Sequence, residues 1–278
     1  MTYISLPVER LLDWYRQHER PLPWRDELTP YRVWISETML QQTRIEAARG
    51  YFTRFVQELP DISALAAVSD DRLMKLWEGL GYYSRARNLK KAAQIVMQRF
   101  GGELPADYDA LSSLPGIGPY TAGAVASIAF GLPYPAVDGN VLRVAARLCD
   151  HAGDVLSPAV RRELTEQVRL WLPETAAGMF NQAIMELGET VCLPRTAPRC
   201  GLCPLRESCL GYAHGTAETL PVRCPRTTRR REKLTVFVCL SDGPQKRVLL
   251  HRRPDTGLLA GLWELPNLPD GDALTPED

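Results

Sequence analysis

Leu114-Pro-Gly-Ile-Gly-Pro-Tyr-Thr-Ala122 is the stretch that decides the fold of this 278-residue chain. It lies between a helical segment ending near Ser113 and a second one expected from about Tyr120 to Phe130. Gly116 and Gly118 permit a tight turn with positive φ and leave the backbone bare. The N–H groups that open the following helix can then approach a phosphate closely. An ordinary turn between helices is the plain alternative for the same residues.

Outward from this hairpin, the apolar spacing from Pro7 to about Val191 is helical almost throughout. Val8, Leu11, Leu12, Tyr15 and Leu73, Leu76, Trp77, Leu80 show it most clearly. Ser69 is placed to cap a helix over Asp70 to Leu80. Ser157-Pro158 supplies a cap and a first-turn proline for Ala159 to Leu172. Breaks such as Gly101-Gly102 and Leu132-Pro133 divide the region into eight or nine helices with no strand. The fold class expected is mainly α.

Composition narrows the function classes. Hydrophobic residues make up 45% and charged residues 24%, too apolar for a disordered chain. No apolar run reaches the roughly 18 residues of a membrane span, and no basic stretch leads into an apolar one at the N-terminus. The expectation is a cytoplasmic protein, nucleoid-associated if bacterial, with no membrane partner. Lys plus Arg equals Asp plus Glu at 33 each, so a polyanion site has to be local. Residues 81 to 100 carry Arg85, Arg87, Lys90, Lys91 and Arg99 without an acid, either a track for a phosphate backbone or a solvated helix face.

Of seven cysteines, Cys192, Cys200, Cys203 and Cys209 fall inside 18 residues, with spacing C-x7-C-x2-C-x5-C and no histidine between them. Such a cluster holds a metal rather than forming a disulfide framework. Four thiolates suit a tetrahedral zinc or a [4Fe–4S] cluster. Only Cys200/Cys203 has the short knuckle of a zinc site, which favours iron–sulfur. Arg195, Arg199 and Arg206 lie in or beside this loop, and Cys149, Cys224 and Cys239 read as buried or incidental thiols.

Beyond Cys209 the composition changes. Residues 223 to 253 hold ten Lys/Arg against two acids, a basic stretch that serves as a solvated linker or lies along a phosphate backbone. Leu234 to Leu240 and Arg247 to His251 then read as two strands joined through Ser241 to Pro244. With a tail rich in proline and acid they cannot close a core of their own. The domain division expected is therefore a helical domain over 1–214, a linker over 215–232 and an incomplete second domain over 233–278.

A glycine hairpin followed about 70 residues later by a four-cysteine loop resembles the helix-hairpin-helix DNA glycosylases that carry an iron–sulfur cluster. Within them the chain looks closest to the A/G-specific adenine DNA glycosylases, the MutY family. The resemblance covers about residues 8 to 265. It rests on Leu22-Pro-Trp-Arg25, Pro30 to Thr43, Gly79 to Asn88, the hairpin, Val137-Asp-Gly-Asn-Val141, Asn181-Gln182 and the cysteines. The first cysteine gap, seven residues, is one longer than usual in that family. Thr256 to Pro266 matches only the opening of the family's MutT-like domain.

The resemblance implies two lobes, a hairpin lobe over about 22–132 and a cluster lobe over 1–21 plus 133–214, with the active site in the cleft. It implies a monomer acting on double-stranded DNA that carries A:8-oxoguanine or A:G mispairs, with a [4Fe–4S] cluster and no nucleotide cofactor. Glu37 is then the general acid, protonating adenine and activating water. Asp138 stabilises the sugar cation, directly or through a transient adduct, with Tyr120 and Asn140 hydrogen-bonding around Asp138 and the transition state. Val33, Trp34, Ile35, Met39 and Leu40 form an apolar neighbourhood able to raise the Glu37 pKa. Read without the family, Glu37 is a solvated helix carboxylate, Asp138 a cap and Tyr120 a half-buried phenol.

The same resemblance places Gln41, Gln42, Thr43, Leu80 and Tyr82 in or beside the duplex. It places Arg20, Trp24, Leu40 and Gln182 around the flipped base. The related endonuclease III group has a lysine where Tyr120 stands, an amine that leads to strand cleavage. Tyrosine implies a monofunctional enzyme leaving an abasic site. Two rivals remain: a mismatch thymine/uracil glycosylase, and a non-catalytic iron–sulfur DNA-binding protein.

Overall fold

The computed structural model describes residues 4–194, 196–224, 231–254 and 256–269. The chain divides into two compact units, Met1–Cys224 and Pro225–Asp278.

In the first unit, α1 (Val8–His18) is followed by α2 (Pro30–Leu40), α3 (Ile45–Glu58), α4 (Ile62–Ala67), α5 (Asp70–Trp77) and α6 (Ser84–Arg99). Then come α7 (Tyr108–Ser112), α8 (Pro119–Ala124) with a π turn over Val125–Ala129, α9 (Gly139–Leu148), α10 (Pro158–Trp171), α11 (Ala177–Thr190) and α12 (Leu210–Ala213). The count up to residue 191 exceeds the expected eight or nine because α4 and α7, capped by Asp61 and Asp107, are pieces of six and five residues, too short to show a helical stripe. Ser69 caps α5 as expected, accepting from the Arg72 N–H at 3.3 Å, although that helix stops at Trp77. Ser157 precedes Pro158 at the start of α10 but makes no side-chain cap bond.

Two buried clusters form two lobes. One gathers Leu22 to Ala126, including Trp34, Phe52, Phe55 and Trp77. The other joins Leu6 to Tyr15 with Val141 to Leu205, including Phe180 and Leu187. The chain crosses between them through residues 131–138, and the crossing is clamped. Asn181, fully buried on α11, accepts from the Ala136 N–H at 3.1 Å and donates to the Ser127 hydroxyl at 2.8 Å and the Tyr134 carbonyl at 2.9 Å. A methyl at Gly123 would stand 2.3 Å from the Pro135 carbonyl oxygen, so α8 touches the crossing backbone to backbone.

The linker begins later than expected. Residues 215–224 belong to the first unit: Ala217 and Leu220 are buried, the Leu220 carbonyl accepts from Arg147 and that of Val222 from the Val155 N–H. A polar composition hid these few apolar anchors. Arg226, Arg229 and Arg230 of the basic stretch, and Arg195 of the cysteine loop, lie outside the described residues.

In the second unit β1 (Leu234–Val236) pairs antiparallel with β4 (Asn267–Pro269), and β2 (His251–Arg252) with β3 (Trp263–Glu264). The hairpin expected across Ser241–Pro244 is reduced to a single bridge, Leu240 to Val248. Among the described residues no helix is long and apolar enough to cross a membrane.

Two glycines inside helices separate packing from propensity. Gly50 in α3 has nothing within 4 Å of an added methyl. Gly50→Ala therefore raises stability in urea unfolding by about 0.5–1 kcal/mol. Gly123→Ala, pressed against Pro135, lowers it by about 1–3 kcal/mol.

Candidate active site and cysteine loop

A cleft of about 1240 Å³ opens between the lobes, larger than a typical small-molecule pocket. Glu37, Gln41, Gln42, Thr43 and the hairpin line it from one side; Asp138, Asn140, Gln182 and Glu186 line it from the other.

Glu37 stands near the end of α2, a helix buried on almost every side. Val33, Trp34, Ile35 and Met39 of the same helix are buried, Leu40 is half-buried, and Glu37 is itself buried. Burial pushes its pKa up to about 7. The Tyr120 hydrogen bond opposes the rise, the charge of Asp138 adds to it, and Arg25 opposes it. Tyr120, in the first turn of α8, donates its hydroxyl to Glu37 Oε2 at 2.5 Å and touches the Met185 sulfur at 3.5 Å. The resemblance implied a phenol hydrogen-bonding around Asp138 and the transition state, and the charge of Asp138 does reach it. Its hydrogen bond goes to the other carboxylate because Pro119-Tyr120 begins the helix that packs against α2.

Asp138 is the N-cap of α9, accepting from the Val141 N–H at 2.7 Å with Oδ1 and from the Asn140 amide at 2.9 Å with Oδ2. Burial raises its pKa, and these two donors and the Arg143 charge oppose the rise. The Asn140 amide also donates to Glu189 at 2.8 Å, and its oxygen accepts from Arg143 at 2.7 Å. Arg143 continues to the Cys192 carbonyl at 2.8 Å.

Arg20 and Arg25 both grip the buried carboxylate of Glu186, Arg25 Nη2 at 2.8 Å and Arg20 through Nε. Gln182 accepts from the Tyr15 hydroxyl at 3.3 Å. Trp24, Leu40, Gly116 and Gly118 also line the cleft. Leu80 and Tyr82 do not: Leu80 is sunk in the lobe's core, while Tyr82 is 60% exposed on a turn outside the cleft wall. Sequence reasoning missed Arg25, Glu186 and Glu189. The signal was present, since Gln182, Glu186 and Glu189 share one face of α11 at helical spacing.

The basic run over 81–100 needs correction at Arg85. That side chain is buried and turned inward, because the second residue of α6 faces the core and not solvent.

Cys192, Cys200, Cys203 and Cys209 line one small pocket together with Val144, Leu187 and Ala217. Arg147 donates to the Cys192 sulfur at 3.2 Å and to the Leu193 carbonyl at 2.9 Å. Burial pushes the Cys203 thiol up to about 12, and the charges of the other three cysteines add to the rise. Among the described residues no three His, Cys, Asp or Glu side chains stand close enough to hold a single metal ion.

Residues 35–170 match the HhH-GPD superfamily of base excision DNA repair proteins. The chain is 39% identical to an adenine DNA glycosylase of Buchnera aphidicola subsp. Schizaphis graminum, over 92% of this chain and 73% of that one. To the adenine DNA glycosylase of Mus musculus it is 38% identical over 93% of its length, spanning 59% of the mouse protein. A solved thermostable thymine-DNA glycosylase superposes with a TM-score of 0.66 at 26% identity, covering 74% of this chain and 95% of that one. The chain belongs to the adenine DNA glycosylase family within the HhH-GPD superfamily.

The Glu37 carboxyl gives a pH signature. A carboxyl whose pKa rises from 4.5 unfolded to about 7 folded costs nothing below 4.5, and stability is lost progressively as pH climbs from 4.5 through 7. Glu37→Gln keeps the acceptor for Tyr120 and carries no charge. In thermal or urea unfolding it should match wild type near pH 4.5 and exceed it by about 1–3 kcal/mol at pH 8.

Proposed function

We propose that the protein is a monofunctional adenine DNA glycosylase, removing adenine mispaired with 8-oxoguanine or guanine from duplex DNA and leaving an abasic site. The observation that carries this reading is the pair of unlike carboxyls in the cleft. Cutting an N-glycosidic bond needs a proton on the leaving base and a negative charge beside the developing sugar cation. Glu37, with one phenol to hold its charge, is the group that stays protonated near neutrality. Asp138 accepts from a backbone N–H and an amide and faces Arg143, so the anion belongs there. Glu37 gives its proton to adenine, Asp138 steadies the cation, and the Glu37 carboxylate then draws a proton from the attacking water. A lyase step needs an amine nucleophile, and no lysine is among the described residues that line the cleft.

Duplexes with A opposite 8-oxoguanine, A opposite G, T opposite G and U opposite G, assayed with and without alkali, test this directly. Release at adenine alone, with breaks only after alkali, is expected. Breaks at T or U would give the rival specificity, and breaks without alkali would overturn the role of Tyr120. Glu37→Gln and Asp138→Asn should each lower the single-turnover rate by about 10²–10⁴-fold while binding of the mispaired duplex persists. Asn at 138 can still cap α9.

The four cysteines would hold the cofactor. Four thiols lining one pocket offer the four-sulfur donor set that either a tetrahedral zinc or an iron–sulfur cube takes, and a spacing with only one short knuckle, Cys200/Cys203, favours the cube. Their charge environment suits bound thiolates: Arg143 and Arg147 are buried and bonded mainly to backbone carbonyls, and thiolates would balance them. Bound there, a [4Fe–4S] cluster supplies four covalent ties that close the loop. Metal analysis of protein purified without oxygen should give about four iron and four sulfide per chain. One zinc per chain would reverse the assignment.

A further inference from the structure

Arg85 makes a set of contacts that packing alone does not require. Its Nη1 donates to the carbonyls of Thr38 at 2.8 Å, Met39 at 3.0 Å and Gln41 at 2.7 Å. Its Nη2 reaches the Thr43 hydroxyl and the carbonyls of Leu80 and Gly81, each at 3.3 Å. One planar group thus bonds two turns that are 40 residues apart in sequence, Gln41–Thr43 after α2 and Leu80–Tyr82 after α5. The guanidinium also lies against the rings of Trp77 at 5.4 Å and Tyr82 at 5.6 Å. The arrangement is costly. Nε is buried without a partner, and among the described residues no carboxylate pairs with the cation.

Both turns carry a second cost. Gln42 has φ 59° and Tyr82 φ 48°, left-handed backbone at residues that are not glycine, and both side chains project into solvent. Strained backbone beneath an exposed amide and an exposed aromatic ring adds nothing to the core, and such strain gathers where a ligand is met. Gln41 is further fixed to the hairpin helix through Thr121 at 3.2 Å, and Trp77 holds the Gly81 carbonyl at 3.0 Å. The two tips therefore form one rigid edge beside the mouth of the cleft that holds Glu37. An amide suits a base edge and a phenol ring suits a base face.

We propose that Arg85 is a positioning residue that locks the Gln41–Thr43 and Leu80–Tyr82 turns into a single two-pronged edge, which enters the duplex as a unit and keeps the target nucleotide out of the stack. This rests on the excision of adenine from duplex DNA proposed above. Lysine retains the charge but offers three donors at one point, which cannot span both turns.

The test uses Arg85→Lys in the full chain, with 2-aminopurine in place of the target adenine as a reporter of unstacking. Wild type should raise its fluorescence on binding, and the variant should lose most of that rise. Affinity for a perfectly paired duplex should change less than about threefold, since phosphate contacts are untouched. Adenine opposite an abasic site, already half out of the stack, should be cleaved within about threefold of wild type, with the same pH profile. Undiminished unstacking would overturn the proposal. So would a moved pH limb or an equal loss on the pre-opened substrate, which would make Arg85 only a prop for α2 and Glu37. A wild type that unstacks the reporter but releases no base would instead sink the glycosylase reading and leave this one standing. If Arg85→Lys does not fold, Thr43→Val, Tyr82→Ala and their double variant decide. Coupled losses in unstacking are expected, and independent ones, multiplying within about twofold, would overturn the proposal.

Discussion

The energetic cost of burying one carboxyl group governs the arrangement around the cleft. Glu37 sits on a helix whose apolar side chains exclude water from it, and an ionised carboxylate there would need a cation to stay charged. Arg25 is close enough to oppose the pKa rise yet is committed elsewhere, to Glu186 at 2.8 Å and to the Arg20 carbonyl at 3.0 Å. Glu186, itself buried, takes both Arg20 and Arg25. It thereby withholds from Glu37 the ion pair that would have pulled its pKa to the ordinary carboxylate range. A phenol is left as the partner. Tyr120 can donate one hydrogen bond to Glu37 but brings no positive charge, so the carboxyl is held in place without being held ionised.

Asp138 is treated in the opposite way. It is also buried, yet α9 begins at it, so a backbone N–H and the partial positive charge of a helix N-terminus support its anion. The Asn140 amide orients the second oxygen and is itself oriented by Glu189 and Arg143. Arg143 ends on the Cys192 carbonyl, and Arg147, one turn along α9, ends on the Cys192 sulfur and the Leu193 carbonyl. A single helix thus presents its N-terminus to the cleft and its flank to the cysteine loop. The position of the loop and the position of the Asp138 partner are one problem in packing.

Much of this was legible in the sequence where periodicity or residue type carries the information. The helical stripes, the Ser69 cap, the glycine hairpin and the apolar surroundings of Glu37 follow from local rules. The cysteine spacing is equally local, and the four thiols do share one pocket. What escaped was decided by contacts between distant segments. Arg85 reads as one more charge on a basic helix, and only the meeting of α2, α5 and α6 turns it into a buried hub. Glu186 and Glu189 look like solvated acids until α11 is seen to face the cleft. That the phenol of Tyr120 donates to Glu37 is likewise set by the packing of α8 on α2 and not by any local motif.

The two carboxyls come from different lobes, so their mutual position depends on the crossing at 131–138. That segment has no helix or strand of its own to stiffen it. Its rigidity is borrowed: Asn181 satisfies an N–H and a carbonyl of the crossing and a hydroxyl of the preceding π turn, all from one buried amide. Gly123 and Gly178 let α8 and α11 approach backbone atoms more closely than any side chain would permit, at Pro135 and Ser127 respectively. A π turn at Val125–Ala129 inserts one residue into the hairpin helix just where those contacts are made. A cleft built on a free hinge would let Asp138 drift from Glu37 as the lobes breathe, and the repulsion by which the Asp138 charge helps keep Glu37 protonated would drift with it. Fastening the crossing to both lobes fixes that distance in the folded protein before any substrate arrives, which is what an electrostatic role for Asp138 demands.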